Sequence, residues 1–165
     1  MTSVLGKLFD HNLWANTQIM DACAGLRAEQ LDQTPMTATL GSIRETLVHL
    51  VEAEQGYLRL LGGEVHAVNW GNPAAIDELR PVIEDSGQRL LDLAEIHSSA
   101  LDERRIRTRD GYWVVPWVVL LQVINHATEH REQVNSMLTA LGRTPPVIDG
   151  WSFGETTGGL RPVEG

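Results

Sequence analysis

"NHATEHREQV", residues 125–134, sets two imidazoles, His126 and His130, one helical turn apart in a segment that otherwise reads as a buried helix. Followed in both directions, the stretch gives a stripe of Val119, Val123, His126, His130, Val134, Met137 and Leu141, with steps of three and four throughout. That is the period of a helix with one face turned inward. Both histidines stand where the stripe needs an aliphatic, so they face the centre of a bundle. At i and i+4 they lie one above the other, about 6 Å apart along the axis. Two imidazole nitrogens so placed can converge on one ion at roughly 2.0–2.1 Å each. An H-x3-H pair alone is weak, because helices carry it by chance.

This helix opens near Pro116 and stops at Leu141-Gly142, with Pro145 and Pro146 barring continuation. Three further helical stretches precede it. The first covers about Ser3 to Cys23, with Leu5, Leu8, Phe9, Asn12, Leu13, Asn16, Ile19, Met20 and Cys23 at helical spacing. The second starts at a capping box, Ser42-Ile-Arg-Glu45, carries Ile43, Leu47, Leu50, Leu58 and Leu61 inward, and ends at Gly62-Gly63. Asn72-Pro73 opens the third in cap-then-proline order. Its apolar face includes Ile76, Leu79, Ile83, Leu90 and Ala94, and Pro81 and Gly87 inside it predict an irregular start or a kink near residue 80.

Little else looks like strand. Glu64 to Asn72 is a loop without a clear period, and Asp102 to Tyr112 is a connector with a short extended piece at Ile106–Thr108. Residues 151–165, rich in Gly and Thr, read as a C-terminal tail that packs locally or frays. The expectation is an all-α four-helix bundle with long crossover connections, one domain over residues 1–165. The link from 62 to 74 spans roughly 40 Å at about 3.3 Å per residue, longer than the second helix at about 1.5 Å per residue. The second and third helices can therefore run parallel.

Composition narrows the function. The net charge is −9, and the 13 Lys and Arg residues are largely dispersed, which argues against nucleic acid as a partner. Arg104, Arg105, Arg107 and Arg109, interrupted by Asp110, read as a solvated loop and at best a local anion contact. No run of 18 apolar residues is present, so no membrane-spanning helix is expected. The N-terminus, MTSVLGKLFDHNLW, lacks the pattern of a secretory signal. Cys23 stands alone, which excludes an internal disulfide, fits a reducing cytoplasm, and reads as a small core filler.

A third histidine strengthens the metal reading. His49 lies on the stripe Ser42, Thr46, His49, Ala53, Gly56, whose small residues leave room for a pocket. The alternatives are three separate core imidazoles or three ligands of one divalent ion. Three uncoordinated buried histidines in one small bundle would each need their polar atoms satisfied, which favours the ion. His11 falls beside an apolar stripe, His66 in a loop and His97 in a polar final turn, so these three read as surface residues.

"HNLWANTQI" at 11–19, "SIRETLVHLVEAE" at 42–54, "INHATEHREQV" at 124–134 and "LGRTPPVIDGW" at 141–151 occur in an order and spacing that resemble the DinB-like (damage-inducible) family of four-helix-bundle metalloenzymes, over nearly the whole chain. The resemblance implies that His49, His126 and His130 bind a divalent metal. It also implies an up-down-down-up bundle, frequent dimerisation, and relatives that include thiol-dependent transferases and isomerases. Glu132 is a departure, because the family more often has Gly after the Arg of "HR".

Three ligands leave an open position, the pattern of a catalytic site. An all-histidine set suits Zn, Ni or Fe. Such a site can acidify a water, giving a hydrolase, or bind a low-molecular-weight thiol that attacks an electrophile. Asn12 and Asn16 either hydrogen-bond a bound molecule or a ligating histidine, or join helices to each other. Arg131 either recognises an anionic substrate or pairs with a glutamate. Glu52 and Glu129 either fix a histidine tautomer or face water. Trp70, Trp113, Trp117 and Trp151 suit a pocket rim, a dimer contact or helix-end packing. Two functions follow from the sequence: a metal-dependent thiol transferase or hydrolase acting on a small molecule, or a non-catalytic, dimeric metal- or ligand-binding bundle with an interaction or stress-response role.

Overall fold

The computed structural model describes residues 3–35, 40–65, 73–96 and 104–163. Four long helices carry the fold: α1 (Val4–Ala24), α3 (Ile43–Leu60), α4 (Ile76–Ile96) and α5 (Pro116–Ala140). Between α1 and α3 lies a single-turn helix, α2 (Ala28–Leu31). A two-stranded antiparallel hairpin, β1 (Ile106–Arg107) and β2 (Trp113–Val114), precedes α5, and a short helix, α6 (Gly150–Thr157), follows it. None of the helices described is long and apolar enough to cross a membrane.

Local chemistry sets most boundaries. Ser3 Oγ accepts from Gly6 N–H at 2.9 Å and caps α1. The Ser42–Glu45 capping box forms in both directions, at 3.2 and 2.7 Å. At the end of α3, Gly63 N–H donates to Leu58 and Gly62 N–H to Arg59, with Gly62 at φ +87°. Gly142 and Arg143 repeat that pattern after α5, where they donate to Thr139 and Leu138.

Side-chain contacts fix the direction of each helix. Leu13 meets Gly87, Asp21 pairs with Arg80, and Ser3 N–H donates to Glu95, so α1 and α4 are antiparallel. Arg44 donates to the Ala74 carbonyl and Ser86 to Glu54, so α3 and α4 run parallel. His49 faces His126 and His130 while Thr46 shares a groove with Met137, so α3 and α5 are antiparallel. Phe9 shares a cluster with Val119 and Val123, and Ile19 and Met20 share another with Val134 and Leu138, so α1 and α5 are parallel. The topology is up-down-down-up, and the expected parallel pair is present.

The structure departs from the sequence reading in four places. The third long helix begins at Ile76, three residues after Pro73, with Ala75 accepting from Glu78 and Leu79; Asn72 lies outside the described residues. It then runs unbroken through Pro81 to Ile96. Gly87 allows close helix approach, since a Cβ there would stand 2.7 Å from Leu13 Cδ1. The helix α2 and the second hairpin strand carry too few residues to show a period, and neither was expected. Finally, the tail is helical over Gly150–Thr157: Asp149 caps it by accepting from Ser152 N–H at 2.8 Å, and Gly158 ends it at φ +75°. Phe153 anchors α6 against His11 and Trp14.

The apolar core divides into two clusters along the bundle axis. One gathers Ile19, Met20, Leu47, Leu50, Leu79, Ile83, Val134 and Leu138; the other gathers Phe9, Leu58, Leu90, Ala94, Val119 and Val123. Between these clusters each long helix carries buried polar residues, Asn12 and Asn16 on α1, Glu54 on α3, Ser86 on α4 and His130 and Arg131 on α5, and the candidate site lies at that level.

Candidate metal centre

Each histidine takes its position from the stripe it sits on. His49 projects from α3 towards α5, where His126 and His130 stand one turn apart. His126 Nε2 lies 3.1 Å from His49 Nε2 and 3.1 Å from His130 Nε2. The three ligand atoms all fall within 4.8 Å of one another, and no other group of three His, Cys, Asp or Glu among the described residues does so. Two nitrogens about 2.1 Å from one ion stand roughly 3.0–3.4 Å apart between octahedral and tetrahedral angles. The spacing fits a shared cation.

Proton accounting points the same way. His130 Nδ1–H donates to Gln133 Oε1 at 2.9 Å, which leaves His130 Nε2 with a lone pair. A proton on His126 Nε2 can point at only one of its two neighbours. The third nitrogen is then without a partner, whereas one cation satisfies all three lone pairs. Burial lowers the pKa of His126 from 6.5 to about 4, helped by the charges of His130 and His49. Burial and His130 also lower that of His49, with the Glu52 carboxylate opposing them. His49 and His126 are therefore neutral near pH 7, the form that ligates a metal.

Other residues singled out in the sequence lie behind the histidines. Asn12, Asn16 and Arg131 are all buried. One Arg131 Nη donates to Asn12 Oδ1 at 2.8 Å and to Asn16 Oδ1 at 2.7 Å, and the other to Thr128 Oγ1 at 3.0 Å. Asn16 Nδ2 in turn donates to Glu54 Oε2 at 3.0 Å, and Ser86 Oγ donates to Glu54 Oε1 at 2.6 Å. All four long helices thus meet in one polar layer, in which Asn12 and Asn16 join helices. Burial pushes Glu54 up to about 7, against Ser86 and the Arg131 charge, and pulls Arg131 down to about 10, against Glu54.

Glu54 was missed in the sequence, although a trace of it was there. The inward positions of α3 run Ile43, Leu47, Leu50, then Leu58, and the skipped step falls on Glu54. Gln133, three residues after His130, also went unrecognised as the group that orients that ring. Glu52, Glu129 and Glu132 are exposed, and Glu132 accepts from Asn135 Nδ2 at 3.4 Å.

His11 lies outside the three-histidine group, and its Nε2 bonds the Ile148 carbonyl at 2.9 Å. His66, His97 and Trp70 lie outside the described residues. Trp113, Trp117 and Trp151 are exposed. Cys23 is fully buried, and burial pushes its thiol up to about 12, so it is inert filler.

A cleft of about 590 Å³ opens onto His49 and His126, so a molecule from solvent can reach the imidazoles. The bundle, its direction and its histidine group are the features that the sequence motifs implied. No curated protein was found to match the chain. The DinB family model matches residues 1–162, and the chain belongs to the DinB family.

Proposed function

We propose that the protein is a divalent-metal-dependent enzyme, a thiol transferase or hydrolase acting on a small molecule, with His49, His126 and His130 as the metal ligands. The convergence of three imidazole nitrogens, with His126 Nε2 3.1 Å from each of the other two and the group open to a cleft, carries this reading. The all-nitrogen donor set suits Zn, Ni or Fe. When bound, such an ion supplies Lewis acidity, which makes a nucleophile of water or a low-molecular-weight thiol at neutral pH.

The chain contributes the remaining conditions. Burial holds His126 neutral, Gln133 fixes the His130 ring with Nε2 inward, and the polar layer behind the site holds α3 and α5 in register. Cys23, a lone buried thiol, is consistent with a reducing cytoplasm. Exposed Trp117 and Leu121, one turn apart on α5, favour a homodimer. Trp117→Glu should then halve the mass measured by light scattering.

The decisive measurement is metal content after purification without chelators. About one divalent ion per chain is expected by the three-ligand argument, with none in His126→Ala. A folded, metal-free wild-type protein would refute the metal reading. Assay of the loaded protein with thiols and a panel of electrophiles tests catalysis, and turnover should vanish in His126→Ala.

A further inference from the structure

The cleft beside the histidines has a chemical character that the metal reading does not explain. Its apolar wall is built by Ala53, Tyr57 and Leu60 of α3. Its rim carries three guanidiniums, Arg59 from α3 and Arg107 and Arg109 from the hairpin, with Asp110 as the only carboxylate lining it among the described residues. None of the three arginines has an ion-pair partner among the described residues, whereas Arg27, Arg44, Arg80 and Arg89 are each paired with a carboxylate. In a chain of net charge −9, this local excess of positive charge runs against the overall balance. The hairpin explains how it arises. Thr108 N–H donates to the Tyr112 carbonyl at 2.8 Å and Thr108 Oγ1 accepts from Tyr112 N–H at 2.9 Å, which closes the turn that carries Arg109 and Asp110.

We propose that this cleft recognises a small organic anion. Its carboxylate or phosphate group pairs with Arg59, Arg107 and Arg109, its apolar body lies on Ala53, Tyr57 and Leu60, and its far end meets His49 and His126. Guanidinium forks match both acid groups bidentately, and a cleft of one sign concentrates ligands of the other. The proposal rests on the reading of the histidines as the reactive centre, and it names the substrate class of that centre.

Calorimetric titration with phenylacetate, phenyl phosphate and neutral phenylacetamide tests it, on zinc-loaded protein and again after chelation. At least one anion should bind about tenfold or more tightly than the amide in both states, and the tighter of the two identifies the acid group. Raising the salt concentration should weaken anion binding and leave amide binding unchanged. Arg107→Gln/Arg109→Gln and, separately, Arg59→Gln should reduce the preference at least threefold while zinc stoichiometry stays at the wild-type value. Equal or undetectable binding of anions and amide, or a preference that survives all three substitutions, overturns the proposal. Anion preference that disappears on chelation also overturns it, since the metal and not the arginines would then be the anion receptor. Failure of the metal reading is separately visible, as absent zinc with the anion preference intact.

Discussion

His130 and Arg131 are consecutive in the chain, yet they serve two polar clusters of opposite kind. Arg131 enters a closed layer, where its guanidinium reaches Asn12, Asn16 and Thr128, and Asn16 and Ser86 complete Glu54. His130 enters an open one, where three imidazole nitrogens face each other with too few protons to satisfy them. A step of about 100° per residue on a helix separates the two directions. Buried polar groups that satisfy one another hold a fold together, whereas convergent acceptors beside a cleft need something from outside. Outside the imidazole cluster, only Asn135 Oδ1 lacks a partner among the buried side-chain polar atoms described, so the contrast is not one of careless packing.

The sharpest way to break the comparison is to damage the closed layer. Arg131→Met leaves Glu54 and two asparagine carbonyls without their cation, and about 3–5 kcal/mol of stability should be lost in chemical denaturation. Because Glu54 takes up a proton near pH 7, the loss should shrink below that pH. Arg131→Met/Glu54→Gln should recover part of it. If the single variant is as stable as wild type, the layer is not structural.

Damage to the open cluster should have the reverse signature. His126→Ala should change the stability of the chelated protein little. Wild type with metal at about 100 times its Kd should gain roughly 2.7 kcal/mol, seen as a higher Tm that the variant does not share. A metal-dependent Tm rise retained in His126→Ala would count against the assignment. Gln133→Leu releases the His130 ring without removing a ligand, and metal affinity should fall about 10- to 100-fold. Competition with a chromogenic chelator measures it, and unchanged affinity would remove Gln133 from the site.

The effect that is smallest at neutral pH, and grows only in acid, is on pH dependence. His126 has a folded pKa of about 4, below its ordinary 6.5, so the unfolded chain takes up a proton that the folded chain refuses. Its contribution is intact above pH 6.5 and is lost as pH falls towards 4. Glu54, raised to about 7, acts in the opposite sense: its contribution is full below 4.5 and is lost as pH rises through 7. The difference between chelated wild type and His126→Asn cancels Glu54 and isolates His126. It should show a slope of up to about one proton between pH 4 and 6.5, and a flat difference would mean that the imidazole is not held neutral by burial.

Much of this molecule was legible before folding because it depends on neighbours in sequence. The Ser42–Glu45 box, the Gly62 and Gly142 stops and the inward stripes of the four long helices rest on contacts within one or two turns. Pairing His126 with His130 needed only the helical repeat, and the small residues around His49 marked a second contributing face. Residues such as Gly87, Glu54 and Arg131 were visible as irregularities whose meaning depended on partners from other helices. A glycine in a helix reads as a weak point until Leu13 is seen against it. The glutamate reads as a break in an apolar stripe until Ser86 and Asn16 are seen donating to it.

The sequence by itself determined the four long helices, their inward faces and the histidines that those faces present, since periodicity and capping are local properties of the backbone. Only the tertiary structure decided that α3 and α5 bring two imidazole nitrogens to 3.1 Å from His126 Nε2, and that Arg131 turns away into a closed layer. It also decided that Arg59 and the hairpin arginines share one cleft with the histidines. These are contacts between residues tens of positions apart, set by which helices become neighbours and in which direction each one runs.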